Sequence, residues 1–339
     1  PEIYSENYRP GQQGNGRLLF ATIIKRRYPE KYRDFLKTAC YCNRNTNYNL
    51  FLHPETYISD NILPQGVLTG PVYTRMIYII PKPTDTPDDN STGMVMKAIE
   101  RAGKDYQILD IERIDPFSSG LENELVWACG IRQDEHQFEV LNALSLSNRV
   151  VNTPASIFTC ASKVMTSVLL FREGIPTPDT SFSASRSEAS RFIEKYGKVV
   201  SKPVYGFDGN GIYLLRSPEE LGPPPYYLQE FVPNDRDYRV FVIDGEAVGA
   251  IERVSDTLAH NIHQGGTGRP REIDPEMQEI AGAAARAVGV DYGGVDLLDS
   301  PEGYCVLEVN GTPNWHCMAA PIPELLAGYL IRVEREMRK

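Results

Sequence analysis

No apolar run in this chain approaches the roughly 20 residues a helix needs to cross a bilayer, and no basic-then-apolar leader opens it. A soluble, cytoplasmic protein is the expectation. Excess positive charge is also missing: the formal net charge is −10 at pH 7. That excludes a general nucleic-acid binder, whose affinity comes from neutralising phosphates with Lys and Arg. Paired cysteines are missing too. Cys40, Cys42, Cys129, Cys160, Cys305 and Cys317 are scattered, and Cys40-Tyr-Cys42 lacks the two-residue spacing of zinc or redox pairs and has no second pair to support it. A disulfide framework is thereby excluded and a reducing compartment expected. There is no internal repeat and no low-complexity tract.

The 339 residues suffice for two or three domains. Residues 1–70 form an aromatic-rich segment with one helix expected near Leu18–Ala39, and residues 1–60 carry nine Lys and Arg against six Asp and Glu. So many rings argue against disorder; a packed accessory segment or a homo-oligomer contact is the expectation, and the basic balance suits an anionic partner. Residues 71–150 alternate strand and helix: MIYII, Thr92–Ala102, YQILDI, LVWACG, Gln137–Leu146 and RVVN. Such alternation predicts a small parallel α/β domain. The loop PKPTDTPDDNSTG after its first strand either touches substrate, as loops at the carboxyl ends of such strands do, or is a solvated turn. Residues 151–339 then read as helix Ala161–Glu173, an extended Pro-rich linker, helix Ser187–Tyr196, strands KVVSKPV, GIYLL and YYLQEFV, a hairpin turning at Asp244-Gly245, helix Pro275–Val288, a second hairpin, and helix Pro323–Met337.

The second hairpin, GVDLL followed by VLEVNGTPN, concentrates the chemistry. Alternate residues of a strand share a face, so Glu308 and Asn310 point the same way, with Asp296 on the neighbouring strand. Three hard oxygen donors in an apolar hairpin suit Mg²⁺ that also holds phosphates. Buried carboxylates without a partner or a metal would be costly. Lys202 ends a strand and precedes Gly206-Phe-Asp-Gly209-Asn-Gly211, where glycines admit phosphate oxygens close to backbone N–H groups. A glycine-rich hairpin turn explains the same residues, and strand–loop–strand order excludes a Walker loop. Tyr227-Leu-Gln229-Glu230-Phe231-Val232 runs into a loop able to offer backbone groups to adenine, with Asp237 as an acid for ribose. Lys163 is a second phosphate cation. His260 and His263 belong to a polar loop rather than a zinc site, and Trp315 and His316 either stack on a planar acceptor or pack conventionally.

The order Lys163, Lys202 with its Gly loop, Gln229-Glu230, Asp237, Asp296, Glu308-x-Asn310 resembles the ATP-grasp superfamily, most closely the RimK-like α-L-glutamate ligases. The likeness covers roughly residues 72–335 and extends to Asn152-Thr-Pro154, Gly174-Ile-Pro-Thr-Pro178-Asp-Thr180, Asp237-Tyr-Arg239, Ile251-Glu-Arg253 and Asn261-x-x-x-Gly265-Gly266. Gly311-Thr-Pro-Asn-Trp315 is more similar to the members that modify tetrahydromethanopterin or coenzyme F420. Ser162 and Ser201 depart from the common pattern beside the two lysines, outside the core roles.

The resemblance implies an α/β ATP-grasp fold: a small parallel pre-grasp domain, a lid over about residues 180–230 and a C-terminal metal-binding sheet, behind an N-terminal extension. It implies that Lys163 and Lys202 hold ATP phosphates under the Gly206–Gly211 loop, that Gln229 to Val232 hold adenine and that Asp237 holds ribose. Asp296, Glu308 and Asn310 would hold two Mg²⁺, with Mn²⁺ a possible substitute, and Arg239, Arg253 and Asn261 would face the γ-phosphate or an acyl-phosphate. The implied reaction adds L-glutamate to a carboxylate of a small cofactor or glutamyl chain; a peptide or protein carboxylate and a non-catalytic nucleotide-binding scaffold are the alternatives.

Overall fold

The structure, a computed structural model, describes residues 76–338 apart from 133, 207–210 and 255–266. The expectations for the aromatic segment 1–70, Cys40 and Cys42 lie outside the described residues, as do Gly209, His260, Asn261 and His263.

Four short parallel strands open the described chain. They are β1 (Ile77–Ile80), β2 (Tyr106–Ile108), β3 (Leu125–Ala128) and β4 (Arg149–Val151), in the order β2-β1-β3-β4. The side chains of β1 and β3 alternate between two buried faces, as expected of strands covered on both sides. Ile77, Ile79, Leu125 and Trp127 join a core with α1 (Ser91–Arg101) and the final helix α7 (Ile322–Glu336). Ile80, Val126 and Ala128 join another with α2 (Glu135–Ser145) and α3 (Pro154–Ala161). The side chains of Asn90, Asp134 and Thr153 cap these helices by accepting from Gly93, Gln137 and Ser156 amides.

The expected helix Ala161–Glu173 is α4 (Lys163–Arg172), and sequence reading missed α3, which ends at Ala161 just before it. Ser162 breaks them apart: it ends α3 in extended conformation while its hydroxyl caps α4 at the Met165 amide. Beyond α4 the chain enters a four-stranded antiparallel sheet of order β5-β8-β6-β7, with β5 Thr180–Ser183, β6 Val199–Lys202, β7 Tyr213–Leu215 and β8 Tyr226–Glu230. One face packs on α5 (Arg186–Tyr196) through Ala189, Ile193, Val199 and Leu228.

A five-stranded antiparallel sheet, β11-β10-β9-β12-β13, completes the fold. Its strands are β9 (Arg236–Ile243), β10 (Glu246–Val254), β11 (Thr267–Arg271), β12 (Tyr292–Ser300) and β13 (Gly303–Asn310). The β9–β10 turn has φ of 54° at Asp244 and 77° at Gly245, the two positive values that a two-residue hairpin turn of matching twist requires. Val240, Val242, Val295 and Val309 bury one face against α6 (Pro275–Val288), while Phe241 and Tyr292 turn to the other. Sequence reading missed β11. The strand is polar and carries Pro270, tolerable because β11 is an edge that pairs only with β10.

Candidate functional site

A cleft of about 840 Å³ is walled by the ends of all three sheets. The large sheet supplies its floor by register alone. Arg253 on β10 opposes Asp237 on β9, Arg239 on β9 opposes Asp296 on β12, and Asp296 opposes Glu308 on β13. Four neighbouring strands thus carry an unbroken row of charged side chains facing one cleft.

Asp296 is buried and fully paired. Arg239 donates Nε and Nη2 to its two carboxylate oxygens at 2.7 and 2.8 Å, and Arg253 Nη2 lies 3.0 Å from Oδ2. Burial alone would raise this carboxyl, but the two guanidiniums outweigh it and hold it down to about 2. Asp296 is therefore ionised throughout the neutral range. Arg253 also donates Nε to Asp237 at 2.5 Å. Asp237 lies within β9, not in the loop past β8 where an acid for ribose was expected, and its side chain is 7% exposed.

Lys163 is the first residue of α4, and its ammonium joins two elements. Nζ donates to the Gly206 carbonyl at 3.1 Å and lies 3.6 Å from Glu308 Oε2. Lys202 ends β6 and donates to Gln229 Oε1 at 2.7 Å. Burial pushes the Lys202 ammonium down to about 8; nearby Lys163 acts in the same sense and Glu308 opposes it. At the end of β8 the Glu230 and Phe231 amides are already engaged by the Asp179 and Lys198 carbonyls, at 2.9 and 3.2 Å. Val232 is the next residue of the cleft wall beyond them.

Among the described residues no three His, Cys, Asp or Glu side chains gather into a metal cluster. The cation donors are instead two carboxylates and an amide. They fit Mg²⁺: Asp296 Oδ1 keeps a lone pair beyond its single arginine bond, Glu308 has among the described residues no contact closer than the loose one to Lys163, and Asn310 turns its NH₂ toward the Gly294 carbonyl at 3.4 Å. Lys163, Lys202, Gly206, Gln229, Glu230, Phe231, Val232, Asp237, Arg239, Arg253, Asp296, Glu308 and Asn310 all line the cleft. Gly211 does not; it sits at φ 71° against Pro203.

Residues 160–331 match the RimK-like ATP-grasp domain family, half of the chain. The chain belongs to that family. It is 35% identical over 196 residues to the tetrahydromethanopterin:α-L-glutamate ligase of Methanocaldococcus jannaschii, covering 53% of this chain and 67% of that one. The coenzyme γ-F420-2:α-L-glutamate ligase of the same organism is 31% identical over 215 residues, covering 57% and 75%. Among solved structures, the ATP-grasp ligase PsnB complexed with a minimal precursor variant, Mg and ADP superposes with a TM-score of 0.63 over 77% of this chain and 99% of that one, at 20% identity. That likeness shows the ATP-grasp fold, and membership of the family implies use of ATP and Mg²⁺.

In this ATP-grasp chain the motif Asn152-Thr-Pro154 was readable in the sequence, but not that Asn152 holds the floor in place. Asn152 is wholly buried at the end of β4. Its Nδ2 donates to the Tyr292 and Gly311 carbonyls, both at 2.7 Å, and its Oδ1 accepts from the Asp291 and Tyr292 amides at 2.6 and 3.1 Å. Gly311 directly follows Asn310, so one amide clips the parallel sheet to both strands of the Asp296 hairpin. Asn152→Ala would leave four backbone groups without partners. The expected outcome is a loss of about 3 kcal/mol of unfolding free energy in urea titration, and a midpoint equal to the wild type would contradict it. Among the described residues no helix is long and apolar enough to cross a membrane.

Proposed function

We propose that this chain is an ATP-dependent carboxylate–amine ligase that joins L-glutamate to a carboxylate of a small cofactor or glutamyl chain. The observation that carries the reading is the convergence of Lys163, Lys202, Asp296, Glu308 and Asn310 on one cleft. The named activities of the two M. jannaschii ligases support the choice of glutamate and of a small acceptor.

In this reading the acceptor carboxylate attacks the γ-phosphate to give an acyl-phosphate and ADP, and the amine of glutamate then displaces phosphate to form the amide. Asp296, Glu308 and Asn310 would hold two Mg²⁺, or Mn²⁺ in their place, which when bound would neutralise phosphate charge. Lys163 at the start of α4 and Lys202 at the end of β6 supply positive charge, so stabilisation is largely electrostatic and needs no covalent protein intermediate. Lys163 is tied to the Gly206 carbonyl, which places the first glycine of the Gly206, Gly209 and Gly211 set beside the phosphate cation. Gln229, Glu230, Phe231 and Val232 border the base, with the Val232 backbone as its nearest partner because the two preceding amides are engaged within the fold. Asp237 serves ribose only by way of its Arg253 pair. Arg239 and Arg253, held by Asp296, face the transferring phosphoryl group together with Asn261.

Purified chain supplied with ATP, Mg²⁺ and L-glutamate should release ADP only when a small-molecule extract is added. Mass spectrometry should then find a metabolite heavier by a glutamyl residue. ADP release that requires a peptide in place of the extract would replace the small acceptor with a protein one. No ADP under any of these conditions would contradict the ligase reading.

A further inference from the structure

The parallel sheet lines the same cleft as the lysines of α4 and β6. In the order β2-β1-β3-β4 the chain leaves β1 toward β2 on one side and returns to β3 on the other. The order therefore reverses between β1 and β3, and in open α/β sheets the crevice beyond the strand ends at such a reversal is where ligands bind. Lys82, just after β1, and Gly130 to Arg132, just after β3, both line the cleft.

Lys82 is held in place along most of its length. Its amide donates to Thr92 Oγ1 at 2.9 Å, and the loop that follows is fixed to α1 by Asp85, which accepts from the Ser91 and Thr92 amides at 3.0 and 3.1 Å. Its aliphatic stem crosses Gly130: a Cβ there would stand 3.0 Å from Lys82 Cγ and 3.7 Å from Cδ. Only glycine leaves that path open. Arg132, by contrast, is already bound to Glu112 and Asp134, and His316 to Asp89. Among the described residues Lys82 is the one cleft lysine or arginine whose side chain has neither a hydrogen bond nor an ion pair within the protein. A lysine with a guided stem and an unoccupied ammonium, at the reversal point of the sheet, is arranged to meet an oxyanion from outside.

We propose that Lys82, laid across Gly130, is the acceptor-anchoring cation of this cleft and holds an oxyanion, carboxylate or phosphate, of the acceptor. The proposal rests on the ligase reading for the word acceptor, though not for the anion site itself. It makes the substrate class an acceptor with a second anionic group besides the carboxylate that is activated.

The test is calorimetry on the full chain with ADP and Mg²⁺ present, using γ-glutamyl-glutamate as the carboxylate probe and inorganic phosphate as the other. The wild type should bind at least one of them. Lys82→Gln should weaken that probe about tenfold or more, because a charge-assisted bond is lost, while ADP affinity stays within about twofold. Lys82→Arg should restore most of the binding. Gly130→Ala, which displaces the stem and keeps the charge, should weaken it severalfold. Binding of neither probe to the wild type, or equal affinity in Lys82→Gln, would overturn the proposal. The ligase reading is judged separately, by glutamate-dependent ADP release from the wild type with extract.

Discussion

Glu308→Ala should abolish ligation, with a fall of at least about 10²-fold in turnover, while leaving the fold intact. Its neighbours explain both halves of the expectation. Glu308 is only partly covered, with a 33% exposed side chain whose one ion pair among the described residues is the 3.6 Å contact to Lys163, so the core loses little when it is truncated. The proposed function makes it one of the carboxylates that would hold Mg²⁺, and a cation site that loses that ligand would lose charge neutralisation that phosphoryl transfer depends on. Thermal melting should shift little between wild type and variant without nucleotide. Turnover within a few-fold of wild type at saturating Mg²⁺ would make the metal assignment wrong.

Lys202→Ala should raise the KM for ATP by about tenfold or more and change the KM for glutamate little, since its ammonium faces Gln229 and the nucleotide end of the cleft. The pH dependence is a second signature. Burial holds Lys202 down to about 8, so in the free protein its positive charge is present below that pH and is lost as pH rises through it. Wild-type ATP affinity should therefore weaken above pH 8, and the variant should lack that decline. Equal ATP affinity in the two proteins by calorimetry would remove Lys202 from the phosphate site and leave the glycines as a turn.

Much of the architecture was legible because local signals were strong. Helix α6 begins and ends where Asp274-Pro275 and Gly289 bracket it, and Asp244-Gly245 marks the β9–β10 hairpin turn. The alternation of strand and helix foretold the parallel sheet, and the spacing of Glu308 and Asn310 foretold a shared cleft. Long-range pairing was less accessible. The hairpin of Asp296 was readable from its own residues, but not that β9 would lie beside it and deliver Arg239 to that carboxylate, with Arg253 arriving from the strand beyond. The costly burial of Asp296 was anticipated; its arginine partners came from strand order. Lys82 and Gly130 are 48 positions apart, and only the β1–β3 adjacency makes them one feature. Ser162 was noticed as a departure from pattern, yet its physical role, ending one helix and capping the next, depends on backbone geometry that composition does not carry.

The most direct test of the account follows an oxygen atom. If the acceptor carboxylate is activated by ATP to an acyl-phosphate, an acceptor labelled with heavy oxygen in that carboxylate must hand one labelled oxygen to the phosphate released when glutamate enters. Mass analysis of the phosphate after a single round of glutamate-dependent turnover should find the label there. Phosphate free of label beside a glutamylated acceptor, with the displaced heavy oxygen found in AMP or in water, would contradict the account.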